Sequence, residues 1–163
     1  ASDVYKRQDF HRLELYQSRR GILVRQGHPL IKKYEKAGRI ELDDLRAFKH
    51  VMMNLPGTPE LSPAAYQQYA FEVGISLPYF LGVPYVLADT DYVYIGPVVT
   101  LMHCLRLPDC NLRVLPAPPE VSPFTPAIIW HHGAHTDPFL QWVRGVLLRS
   151  AREEAKRYNA IEI

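Results

Sequence analysis

Two hydrophobic periods alternate along this chain of 163 residues, and that alternation restricts its fold more than any other property. Short apolar runs bounded by turn residues read as strands, and the stretches between them carry apolar residues at helical spacing. The strand signal falls on Leu13 to Tyr16, Gly21 to Val24, His50 to Met53, Ser76 to Phe80, Tyr92 to Ile95, Leu112 to Leu115 and Phe124 to His131. Helices are expected at Leu30 to Ala37, stopped by Gly38, at Asp43 to Ala47, at Val83 to Ala88 and at Val98 to Leu105. Another starts at Ser62-Pro63, where serine caps and proline occupies the first helical position. Its face would be Tyr66, Tyr69, Ala70 and Val73, ended by Gly74. The last helix is capped by Thr136 or Asp137 and begins at Pro138, with Phe139, Trp142, Val143, Val146 and Leu147 as one apolar stripe. Strands alternating with helices predict an α/β fold with a largely parallel sheet.

Composition narrows the functional classes. With 47% hydrophobic and 22% charged residues, the chain is neither disordered nor membrane-like in composition. No apolar run approaches the roughly 18–20 residues that span a bilayer, so no membrane partner is expected. A net charge of +2 is too small to argue for nucleic acid. The candidate clusters are Arg19-Arg20, Lys32-Lys33 and the tail from Arg149 to Arg157, and the tail is interrupted by Glu153-Glu154. Cys104 and Cys110 lack a metal or redox spacing, which points to free thiols in a reducing compartment.

Ala1 to Gln8 (ASDVYKRQ) matches the translation of a common transposase-based sequencing adapter. It is read as a scar and excluded from fold reasoning. The rest carries a family resemblance in the order of its segments. GILVRQGHPL (Gly21 to Leu30) resembles the strand that ends the first lobe of the effector-binding module of LysR-type transcriptional regulators. ELDDLRAFKHV resembles the turn and strand entering the second lobe, and SLPYFLGVPYVLADTDYVYIGPVV the strands and helices that close it. NLRVLPAPPEVSPFTPAIIWHH is similar to the returning strands, and HTDPFLQWVRGVLL to the terminal helix. Ala88-Asp89-Thr90-Asp91 stands where most members have a glycine-rich turn.

The resemblance implies the type 2 periplasmic-binding-protein-like α/β fold, with the second lobe plus the returning part of the first. Residues 9–29 and about 124–163 would belong to the first lobe and about 30–123 to the second. It implies a fragment of a cytoplasmic regulator's sensory domain, binding a small effector such as an aromatic or organic acid in an interlobe cleft. DNA would be bound only through a winged helix-turn-helix upstream of this chain. A solute-binding protein of the same fold, serving a transporter, is the alternative. A lobe lacking half its elements would expose apolar surface, so a homo-oligomer is also expected.

Ligands of open α/β sheets bind at the carboxyl ends of strands, near helix starts. Two places have that form: Met53-Asn54 through Leu61-Ser62, and Tyr79-Phe80-Leu81. The candidate ligand-binding residues are therefore Asn54, Leu61, Ser62, Tyr79 and Phe80, with capping by Ser62 and core packing by Phe80 as the plainer readings. His131, His132 and His135 suggest a metal, but neighbours on a strand point to opposite faces, so a solvated loop is expected and no metal or cofactor. There is no GxSxG, HExxH or P-loop, and Cys104 beside His103 is adjacency in sequence only. No enzyme is expected.

Overall fold

Strand β2 (Arg20–Arg25) is apolar from Gly21 through Val24, and a strand apolar at every position must be covered on both faces. The computed structural model, which describes residues 9–54, 63–121, 123 and 125–159, shows it so covered. Strand β5 (Tyr94–Pro97) pairs with β2 on one side and β6 (Leu112–Pro116) on the other, both antiparallel, with Ile22 opposite Ile95 and Leu115. Ile22 and Val24 face a core cluster with Leu30, Ile31, Leu45 and Tyr66; Leu23 faces a second with Val51, Val83, Leu87 and Leu101. The alternation of side chains across the strand separates the two clusters. At Gly21 the packing is tight: a Cβ would lie 3.0 Å from Val114 Cγ1, so a larger residue needs that side chain to give by a few tenths of an ångström.

Helix α1 (Pro29–Ala37) follows β2 directly. His28 caps it, its Nδ1 accepting from the Leu30 N–H at 3.1 Å, and Gly38 ends it at φ 70. After α2 (Leu42–Arg46) come β3 (His50–Met53), α3 (Pro63–Gln68) and β4 (Val73–Leu77). Strands β3 and β4 pair in parallel, which suits a connection running through a helix. A turn at Phe80–Gly82, then α4 (Val83–Ala88) and α5 (Val98–Cys104) complete this part. Separately, β1 (Phe10–Glu14) and β7 (Ala127–His131) form an antiparallel pair, followed by a turn at His132–Ala134 and the long α6 (Pro138–Asn159).

The chain divides into two units, residues 9–18 with 125–159, and residues 19–121 with 123.

Two expectations are corrected. The sheet is not largely parallel: among the described residues β1–β7 and β5–β2–β6 are antiparallel, because the long connections around β2 leave strand direction free. Helix α3 ends at Gln68, with Ala70 at φ 56, and Val73 opens β4 instead of completing a helical face. The stripe on α6 is largely uncovered, with Phe139 67% and Trp142 62% exposed. Cys104 and Cys110 are free and buried, and burial pushes the Cys104 thiol up to about 11.

Candidate ligand site

The parallel pair β3–β4 brings two sequence-predicted segments together. Met53 lies opposite Leu77, so the carboxyl ends of both strands emerge side by side. The Asn54 N–H donates to the Leu77 carbonyl at 2.9 Å and fixes the exit of β3 against that of β4. Asn54 is exposed. Tyr79, two residues beyond β4, is 75% exposed. Phe80 opens the turn Phe80–Gly82 and is half-buried, its ring 5.7 Å from that of Tyr94. Leu61 and Ser62 lie outside the described residues.

Phe80 also lines an apolar groove of about 590 Å³ between α4 and α5, with Leu81, Pro84 and Tyr85 facing Val99 and Leu107. Tyr79 is not among its lining residues. Phe80 thus belongs both to the core margin and to an open apolar wall.

Arg20 is the residue that sequence reasoning passed over. Arg19-Arg20 was weighed only as a surface contact for phosphate, yet Arg20 is 7% exposed. It sits at the start of β2 opposite Pro97, beside a recess of about 250 Å³ lined by Pro116, Pro118 and Val121. Two buried phenols feel its charge. Burial raises both Tyr66 and Tyr94, the latter to about 12, and Arg20 opposes each rise. The Tyr66 hydroxyl donates to the Val51 carbonyl at 3.1 Å, which ties α3 to β3. The available signal was an arginine directly before a fully apolar run, which carries the residue into the edge of the core.

Among the described residues no set of three or more His, Cys, Asp or Glu is arranged to hold a metal ion. No helix among them is long and apolar enough to cross a membrane.

No family model matches the chain. In sequence it is 35% identical over 68 residues to the HTH-type transcriptional regulator SyrM of Rhizobium meliloti, covering 40% of this chain and 20% of that protein. It is 28% identical over 141 residues to SyrM of Rhizobium etli, covering 83% of this chain and 39% of the relative. The chain therefore spans well under half the length of these curated relatives. Among solved structures it resembles the regulatory domain of MexT, a transcriptional activator in Pseudomonas aeruginosa, with TM-score 0.66, 21% identity, and coverage of 86% of this chain and 66% of that one. It resembles the effector-binding domain of QuiR in complex with shikimate, with TM-score 0.67, 15% identity, and coverage of 90% and 67%. The regulatory domain of MetR, a LysR family regulator from N. meningitidis, gives TM-score 0.65 at 9% identity, with coverage of 90% and 66%. The chain has the type 2 periplasmic-binding-protein-like α/β fold of LysR-family effector-binding domains, and its sequence is similar to that of HTH-type transcriptional regulators.

Proposed function

We propose that this chain is part of the ligand-sensing domain of a LysR-type DNA-binding transcriptional regulator, whose effector is a small organic or aromatic acid. The observation that carries the reading is the parallel pair β3–β4, which presents Asn54 and Tyr79 at adjacent carboxyl ends within this fold. Sites of this kind hold small ligands in open α/β sheets. The QuiR domain of the same fold was solved with shikimate, a cyclic carboxylic acid, and that supports the ligand class.

Residues 9–29 and about 124–163 are assigned to one lobe of the complete domain and about 30–123 to the other, with the winged helix-turn-helix outside this sequence. The intact protein would be a cytoplasmic, homo-oligomeric regulator without enzymatic activity. An effector changes such a protein only through its different affinity for two conformations.

Calorimetric titration tests the reading, with shikimate and simple aromatic acids run against this chain and against the chain extended by its upstream coding sequence. The expected result is no measurable binding to the 163 residues and micromolar binding to the longer chain, weakened at least about tenfold by Tyr79→Ala. Tight binding to the short chain overturns the assignment of a partial cleft. No binding to the longer chain overturns the effector class.

A further inference from the structure

Histidines far apart in sequence meet where β1 pairs with β7. His11 lies opposite Trp130, and Phe10 opposite His131. The His11 ring stacks on His135 with centroids 4.1 Å apart, on His132 at 5.2 Å and on Trp130 at 5.5 Å. His11 Nε2 and His132 Nδ1 are 3.0 Å apart, a hydrogen bond in which one ring donates and the other accepts. The Trp130 indole N–H donates to His135 Nδ1 at 3.3 Å, and the Gly133 N–H donates to His131 Nδ1 at 3.1 Å.

These bonds specify protonation. A charged imidazole carries a proton on both nitrogens and accepts nothing. His131 and His135 can therefore keep their bonds only when neutral. The His11–His132 bond survives one added proton and is lost when both rings are charged. The fixed charge facing the group is also positive: the Arg144 guanidinium of α6 lies 4.6 Å over the Trp130 ring and donates to the carbonyls of Ala134 and His135. On the flanking elements, Glu14 is paired with Arg12, and Asp137 caps α6 by accepting from Leu140 N–H. Asp9 contributes its backbone carbonyl to the His132 N–H at 2.7 Å.

We propose that His11, His132 and His135, packed with Trp130 and beneath Arg144, form an acid-sensitive latch: neutral imidazoles fasten the start of β1 to the turn between β7 and α6, and protonation releases it. Partial burial, followed by the charges of His135, His132 and Arg144, holds the His11 imidazole below the ordinary value of 6.5. The latch is then closed at neutral pH and opens in mild acid. It goes beyond the effector reading and does not depend on it, since every residue in it belongs to the unit formed by 9–18 and 125–159.

The test is nuclear magnetic resonance on the full chain, titrated from about pH 7.5 to about pH 5, the window in which histidine charge changes. The His11 ring C–H signals should shift with a midpoint below 6.5, the Trp130 indole N–H signal should move in the same step, and the protection factor of the His132 amide, which donates to the Asp9 carbonyl, should fall about tenfold with them. Amides of Ile22, Leu23 and Leu115 in the other unit's core should keep their protection. A Trp130 signal that stays unmoved, or that moves only when those core amides lose protection, overturns the latch. His11→Phe retains a ring for stacking but removes the bond and the charge. It should loosen the His132 amide already at pH 7.5, and protection of that amide that keeps the parent's pH dependence in the variant also overturns the proposal.

Discussion

His50, at the head of β3, is wholly buried and stacks on Phe71 with ring centroids 4.2 Å apart. Its Nε2–H donates to the Leu45 carbonyl at 3.0 Å, while Nδ1 has no hydrogen-bond partner among the described residues. Burial lowers its pKa from 6.5 to about 4. The unfolded chain therefore takes up this proton first as acid is added. The stability tied to neutral His50 is fully present above 6.5 and is lost as pH falls toward 4, by about 3 kcal/mol in total. His28 acts in the same direction, lowered by burial against the opposing pull of Asp91. His50→Leu should cost about 1–3 kcal/mol at pH 7, because the Leu45 carbonyl loses its donor in the core. Urea unfolding should show the gap between variant and parent narrowing between pH 7 and pH 5. A gap independent of pH would mean that His50 does not titrate on unfolding.

At the scale of elements, legibility followed the range of the signal. Helix α1 was readable because its cap, first-turn proline and terminal Gly38 lie within ten residues of one another, and β2 because its apolar run is continuous. Strand direction was not readable, since β2 finds β5 and β6 across long stretches of chain that no local period describes. The position of Asn54 and Tyr79 at strand ends was legible from the motif. The burial of Arg20 was not, since it depends on β5 and β6 arriving on either side. The overlong expectation for α3 failed at one position. Spacing marked Ala70 as a helical face residue, yet its φ of 56 stops the helix so that β4 can begin. The left-handed region costs a residue with a Cβ about 1–2 kcal/mol, and glycine forfeits about 0.4–1 kcal/mol through the unfolded state. Ala70→Gly should therefore stabilise the chain by about 0.5 kcal/mol, read as a higher urea midpoint. A lower midpoint would show that the Ala70 methyl packs more favourably than its backbone strain costs.

For the whole molecule, the question is what covers the apolar surface of the smaller unit. Phe139, Trp142 and Leu147 on α6 are exposed, and so are Phe10 and Ile129 on the outer face of the β1–β7 pair. The Phe139 and Trp142 rings stack on each other at 6.2 Å, which leaves them available as one surface. Burying a side chain of this size is worth roughly 1.5–3 kcal/mol, so leaving several in water favours association. The chain covers 66% of the MexT regulatory domain to which it is similar in fold. A matching domain with further elements has material with which such a face could be covered, and the isolated chain has only another copy of itself. Sedimentation velocity should therefore show concentration-dependent association of the 163-residue chain, and Trp142→Glu should return it toward monomer. Chain extended by its upstream coding sequence should associate less through this face, and Trp142→Glu should destabilise it instead. A parent chain that stays monomeric across the concentration range would show that these aromatics are tolerated in water, and would remove the argument for a covering element on α6.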